Sequence, residues 1–321
     1  MTKTTILAAA ILLCLQTGIT HAQDAPDGSE DADSLDTISV VGTGQTRQVQ
    51  ALGKDDLSRE AAGASPLKAV AKLPGVNFQS ADPWGNYEWS TKLSIRGFSQ
   101  QQLGFTLDGI PLGDMSYGNH NGLVRDDDLL SFTADWSPSA DLSLAATAYY
   151  HRNEGQGHWA TPYSASPTVP IRLRTTEYDI ERTGLMPSLT WQIGDHRLQA
   201  GLWLEKNAHG VQRNFYDLRL DTPPDDIFFY RNPDARVFRQ RFDTDTRQFY
   251  MLDHMEFVDG RLAIDAGFKG TRVEVDGKNL IGTRAGDRLV AQDNFQPQLG
   301  ARWRINDTEE VFGSYAENMA A

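Results

Sequence analysis

A two-residue rhythm constrains this sequence more than any other feature. Leu130, Phe132, Ala134 and Trp136 alternate with Ser131, Thr133 and Asp135, and after the turn SPSAD the apolar face resumes at Leu142, Leu144, Ala146, Ala148 and Tyr150. The pattern returns at Leu185, Leu189, Trp191 and Ile193, and beyond the turn GDH at Leu198, Ala200, Leu202 and Leu204. It returns again at Phe249, Met251, Met255 and Phe257, then past VDGR at Leu262, Ile264, Ala266 and Phe268. A last pair runs through Phe295, Leu299, Ala301, Trp303 and Ile305, then past NDTEE through Val311, Gly313 and Tyr315. Successive side chains of a strand point to opposite faces, so each segment presents one apolar and one polar face. Alternation over about ten residues is the mark of strands that cross a membrane as a barrel. About eight antiparallel transmembrane strands, in four hairpins, are expected over residues 124–321.

The connections carry a second signal. The turns just named are short, whereas the links 152–177, 207–241 and 276–291 are long and polar. Short turns at one end and long loops at the other match the inner and outer ends of an outer-membrane barrel. A soluble sandwich also alternates apolar and polar residues, but has no reason to alternate its loop lengths. Trp136, Trp191 and Trp303 each lie near a short turn, where an interfacial aromatic girdle is expected. Beyond the N-terminus there is no apolar run of about 20 residues, which excludes a helical membrane protein. The net charge of -13, from 30 basic and 43 acidic residues, counts against a nucleic-acid partner.

The N-terminal third is built differently. Lys3, an apolar run from Ile6 to Leu15 and the small-residue site Thr20-His21-Ala22 read as a secretory signal peptide over residues 1–22. The single cysteine, Cys14, falls inside it, so the exported chain has no disulfide framework. Residues 23–51 are acidic and lack aromatics, a composition that cannot bury a core. Within them only DTISVVG is β-prone. Residues 52–123 read as a small α+β unit. Ser65-Pro66 caps a short helix PLKAVAKL that stops at Pro74-Gly75, VNF starts a strand, KLSIRGF alternates, and Phe105 to Leu107 leads to a turn at Asp108-Gly109.

This order of parts resembles the TonB-dependent outer-membrane receptors. DTISVVG resembles their TonB box, here Asp36, Thr37, Ile38, Ser39, Val40 and Val41, which adds a strand to the periplasmic energy-coupling protein TonB. SPLKAVAKLPGVNF is similar to the helix leading to PGV in the family's plug domain. LSIRGF resembles its IRG motif at Ile95, Arg96 and Gly97, and FTLDGIPLGD its turn at Asp108 and Gly109. The resemblance implies an N-terminal α+β plug followed by barrel strands in the outer membrane of a Gram-negative bacterium. It implies outer-membrane lipid, TonB and a small-molecule ligand as partners, with Arg96 tying plug to barrel wall. The loop DPWGNYEWST matches an apical loop of the plug, and Trp84, Tyr87 and Trp89 would offer a ligand flat amphipathic faces. EVFGSYAENM resembles a barrel strand of iron-complex receptors. A ferric siderophore is the ligand expected first, with oligosaccharide or cobalamin as alternatives. A small passive barrel, porin or adhesin, is the alternative from another class.

The chain also departs from the family, which closes around its plug with about 22 strands. After LGDMSYGNHNGL the second half of a plug is expected, but VRDDDLLSFTADWS reads as a loop entering a descending strand. An internal deletion near Leu123-Val124 and a truncation at Ala321 are expected. They leave a partial plug, a partial barrel and a transport-incompetent fragment. No catalytic residue, metal site or cofactor is expected. The histidines are scattered, GxSxG and P-loop strings are absent, and Asp126-Asp127-Asp128 lacks calcium-loop spacing.

Overall fold

A computed structural model describes residues 52–73, 75–85, 90–107, 109–111, 126–161, 171–219, 229–306 and 309–319. The signal peptide, the leash with its Asp36 to Val41 string, Tyr87, Trp89, Asp108 and the Leu123-Val124 junction lie outside the described residues. All described residues fall in one unit, Ser39–Ala321.

The α+β segment opens with helix α1 (Lys54–Ser58), a turn of helix that no sequence signal announced. Helix α2 (Pro66–Ala69) begins as expected, with the Ser65 hydroxyl accepting from the Leu67 N–H at 3.3 Å and Pro66 in the first turn. It tightens into a 3-10 turn (Val70–Lys72) before the chain reverses at Gly75, whose φ of +77° suits glycine. Strands β1 (Val76–Gln79), β2 (Lys92–Ile95) and β3 (Phe98–Ser99) form an antiparallel meander. A further 3-10 turn (Gln100–Gln102) leads to the two-residue strands β4 (Thr106–Leu107) and β5 (Ile110–Pro111).

The rest is a single antiparallel sheet of eight strands in sequence order: β6 (Asp126–Ser139), β7 (Leu142–Thr161), β8 (Ile171–Ile193), β9 (His196–Leu218), β10 (Ala235–Phe257), β11 (Leu262–Ile281), β12 (Asp287–Arg304) and β13 (Glu310–Ala316). The strand number and all four short turns match expectation. The sheet does not close: among the described residues, β6 and β13 are its two edges.

The strand lengths correct the sequence reading. Most of the expected loop residues are strand, and β8, β9 and β10 each run 23 residues. The cause is a change of solvent. Eight residues separate Phe249 from Phe257 on the outward face of β10, about 27 Å of strand at ~3.4 Å per residue. At a tilt of ~40° that is about 21 Å, close to the apolar band of about 25 Å on such barrels. Below this height the outward residues are apolar and exposed, including Leu185, Leu202, Met251 and Leu299. Above it the ladder continues, but polar residues enter both faces and the alternation lapses. Aromatic residues bound the band. Trp136, Trp191 and Trp303 are exposed near the short turns, and Phe249, Phe268 and Phe295 form a row at the upper edge with ring centroids 6.1 and 5.4 Å apart.

Close approach fixes some side chains on the opposite, inward face. Tyr149 stands directly across from Gly184 and lies over it; a Cβ there would come within 2.1 Å of the ring. Tyr250 covers Gly201 in the same way, with a Cβ approach of 2.6 Å. Each glycine gives an aromatic ring a flat seat across the strands.

Tyr230, in the link between β9 and β10, is held against the strands. The Gln156 side-chain amide donates to the Tyr230 carbonyl at 3.1 Å and accepts from the Tyr230 N–H at 2.7 Å. The Tyr216 hydroxyl lies 2.9 Å from Glu177 Oε1 and 3.1 Å from the same carbonyl, sharing one hydrogen between them, and its ring lies 5.4 Å from that of Tyr230.

Candidate functional site

Two features can carry function: the loop between β1 and β2, and a buried polar cluster on the inward face of the sheet.

The described part of the loop is held by its backbone. Asp82 accepts from the Trp84 N–H at 3.0 Å and from the Ser80 hydroxyl at 2.7 Å. The Trp84 carbonyl accepts from the Ser65 N–H at 2.9 Å, and the Pro83 carbonyl from Lys68 Nζ at 2.6 Å. Helix α2 and its cap thus pin both central residues of the turn. Gly85, φ +75°, lets the chain pass close over Phe78. The Trp84 side chain stays 49% exposed, a flat surface on a fixed backbone. Glu60 steadies the same helix, 2.7 Å from Lys72 Nζ and 3.7 Å from Lys68 Nζ. The Lys72 hydrogen bond holds its carboxyl below the usual carboxylate value.

Ile95, Arg96 and Gly97 form the bend from β2 to β3. Arg96 has φ +52° and Gly97 φ +87°, and the Arg96 N–H donates to the Gly75 carbonyl at 2.7 Å. The motif joins the turn after the helix to the sheet through its backbone, and the Arg96 side chain is exposed. Gly109, φ +78°, makes the turn between β4 and β5.

The contact from this segment to the large sheet comes from another residue. Arg182 on β8 donates from Nη2 to the Pro111 carbonyl at 2.6 Å and to Glu205 Oε2 on β9 at 2.5 Å. Tyr149 on β7 donates to the same carboxylate, and Trp203 Nε1 donates to the Tyr149 hydroxyl at 3.0 Å. His151 Nδ1 lies 3.5 Å from Arg182 Nη1, and the guanidinium sits 5.8 Å from the Tyr149 ring centroid. Arg182 and Glu205 keep only 2% and 6% of their side-chain surface exposed. A buried pair of this kind depends on every partner, because removing one strands a charge away from water. Nearby Asn153 is 1% exposed, and neither of its side-chain polar atoms has a hydrogen-bond partner among the described residues.

Sequence reasoning missed this cluster. Its members occupy polar slots of alternating strands, as unremarked lumen residues do, and Tyr149 and Glu205 are 56 positions apart. The available signal was an arginine and a glutamate at inward positions just beyond the apolar segments of β8 and β9. Among the described residues no group of three or more His, Cys, Asp or Glu side chains could hold a metal ion. No helix among them is long and apolar enough to cross a membrane.

Comparison with known proteins gives one family. The model described as "TonB dependent receptor-like, beta-barrel" matches residues 67–321. No curated protein matches. Among solved structures, the chain is similar to the unliganded ferric citrate transporter FecA, at 14% identity and TM-score 0.46, covering 59% of this chain and 26% of that one. It is similar to BauA, the ferric preacinetobactin receptor of Acinetobacter baumannii, at 13% identity and TM-score 0.40, covering 59% and 30%. It is also similar to the alcaligin outer-membrane receptor FauA of Bordetella pertussis, at 12% identity and TM-score 0.27, covering 59% and 35%. The matches thus span 26 to 35% of those proteins.

Proposed function

This chain belongs to the TonB-dependent receptor-like β-barrel family, and on that premise we propose that it is part of an outer-membrane receptor for active uptake of a ferric siderophore. The observation that carries the reading is the eight-stranded antiparallel sheet with an exposed apolar band between two aromatic rows, inside the stretch matched by the family. In this reading residues 52–123 are a partial plug and residues 124–321 a partial barrel. The leash 23–51 carries Asp36 to Val41 to TonB, where an extended segment adds to a sheet edge. Trp84, with Tyr87 and Trp89, meets the ligand. Ile95, Arg96 and Gly97, with Asp108 and Gly109, shape the plug turns. Arg182 holds that plug to the wall through the Pro111 carbonyl. The eight strands alone do not transport, because β6 and β13 leave open edges that lipid hydrocarbon cannot satisfy.

A ferric siderophore is the first choice of ligand class, and oligosaccharide and cobalamin are the alternatives that the test separates. The test uses the full chain in detergent micelles, titrated with a ferric hydroxamate, a ferric catecholate, an oligosaccharide or cobalamin. Tryptophan quenching by an iron complex, reduced in Trp84→Ala, is expected. Quenching by the sugar or cobalamin alone would overturn the ligand class. Cells carrying this chain as their sole receptor should fail to grow on an iron chelator; growth would refute transport incompetence.

A further inference from the structure

On the upper halves of β7, β8 and β9 the two faces carry opposite charge. Tyr149, Gly184 and Glu205 mark the inward face, and every second residue above them shares it. Histidines aside, the inward charges there are Arg172, Arg174, Arg182 and Arg213 against Glu205 and Asp217. The outward charges are Arg152 and Lys206 against Glu154, Glu177, Asp179 and Glu181. A chain of net charge -13 thus turns a basic surface inward.

Pairing sorts the inward arginines. Glu205 takes Arg182, and Asp217 takes Arg172 at 2.6 Å. Both carboxylates are then used. Arg174 and Arg213 form no ion pair among the described residues, and the buried Nε of each has no hydrogen-bond partner there. Arg213 keeps one long contact, 3.4 Å from Nη2 to Thr176 Oγ1. Ring faces hold both groups instead. The Trp159 indole lies against Gly157 of its own strand, where a Cβ would come within 2.8 Å of it. The Arg174 guanidinium stands 5.3 Å from the Trp159 ring centroid, and that of Arg213 5.3 Å from Phe238. An aromatic face attracts a guanidinium without neutralising it. Arg174 sits opposite Phe215 and Arg213 opposite Thr176, so the two are diagonal neighbours on adjacent strands, about 7–8 Å apart at the backbone.

Two half-buried cations without counter-charge carry a cost that an anion removes. A guanidinium fork matches a carboxylate through parallel hydrogen bonds. Two forks at this separation suit two carboxylates better than one. We propose that Arg174 and Arg213 bind two carboxylates of a single ligand, so that the iron complex is an anionic carboxylate chelate and not a cationic hydroxamate. The proposal names the ligand class of the receptor reading above and rests on that reading.

The experiment uses the full chain in detergent micelles, with heat-modifiable migration as the check of folding. Equilibrium dialysis measures three probes: ferric rhizoferrin, an anionic carboxylate chelate; ferrioxamine B, a cationic hydroxamate complex; and trigalacturonate, an iron-free acidic sugar. The parent should bind ferric rhizoferrin at least tenfold more tightly than either of the others, and less tightly at high salt. Arg174→Gln with Arg213→Gln should weaken that binding at least tenfold and keep the heat-modifiable form, because it removes buried charge that the free protein does not pair. Arg174→Lys with Arg213→Lys should keep part of the affinity, and the outward Arg152→Gln should leave it unchanged. Equal binding of ferric rhizoferrin by a folded double glutamine variant would overturn this inference alone. So would tighter binding of ferrioxamine B by the parent, which leaves an iron receptor standing. Trigalacturonate bound in place of the chelate would overturn the iron complex here and in the receptor reading together. A folded parent that binds none of the three overturns this inference, while a ferric catecholate bound by it would leave the receptor reading intact.

Discussion

β10 runs through two environments on one unbroken ladder. From Phe249 to Phe257 its outward residues are Phe249, Met251, Asp253, Met255 and Phe257. The exception, Asp253, is paired with His196 at 2.8 Å near the short turns. From Arg239 to Arg247 the outward residues are all charged, while the inward ones are Gln240, Phe242, Thr244 and Thr246. Backbone pairing with β11 continues through both halves. The ladder needs only partners for its N–H and C=O groups. The alternation needs unlike surroundings on the two faces. One half shows what a strand is; the other shows where it is.

The contrast between halves, and between faces, can be broken by substitution. The largest effect is expected inside. Glu205→Ala leaves Arg182 buried without its carboxylate and should cost about 3–5 kcal/mol in denaturant titrations of micelle-refolded protein. Glu181→Ala, outward and exposed above the band, should change the midpoint little. Next, Leu299→Arg on β12, level with Asp253, puts a charge in the middle of the outward band and should cost about 2–4 kcal/mol, against about 0–1 for Ala208→Arg above the band on β9. Equal costs would show that the band does not face lipid. Gly184→Ala should cost about 1–3 kcal/mol by pushing Tyr149 off its seat and away from Glu205. Gly313→Ala meets nothing within 4 Å and should be close to neutral.

The smallest effect belongs to the α+β segment. Glu60 has its carboxyl lowered from the ordinary 4.5, first by the Lys72 hydrogen bond. A lowered folded value means the stabilisation is present above the unfolded value and is lost as pH falls through the folded one. Protease sensitivity at the α2 helix should rise as pH drops below 4.5. Glu60→Gln should flatten that rise, and an unchanged profile would remove the carboxyl from the account.

The same contrast explains what the sequence disclosed. Ser65-Pro66, the bend at Gly75 and all four short turns were legible because each rests on a local steric or capping rule. The apolar band was legible because lipid imposes a period. The upper strand halves, such as Glu205 to Leu218, were hidden because polar and apolar residues mix on both faces and leave no period. Arg182 was hidden for another reason. Its partners Pro111 and Glu205 lie 71 and 23 positions away, and pairing of that kind leaves no local pattern. The α1 turn, Lys54–Ser58, is too short for any periodicity.

The clamp of Gln156 on Tyr230 has a consequence for how this surface tolerates change. Gln156 grips the main chain, not the ring, so both of its bonds survive nearly any replacement at that position. Proline alone lacks the N–H and removes one of them. Position 230 can therefore change its side chain while its anchor point stays fixed, so variation there need not loosen the strands beneath it.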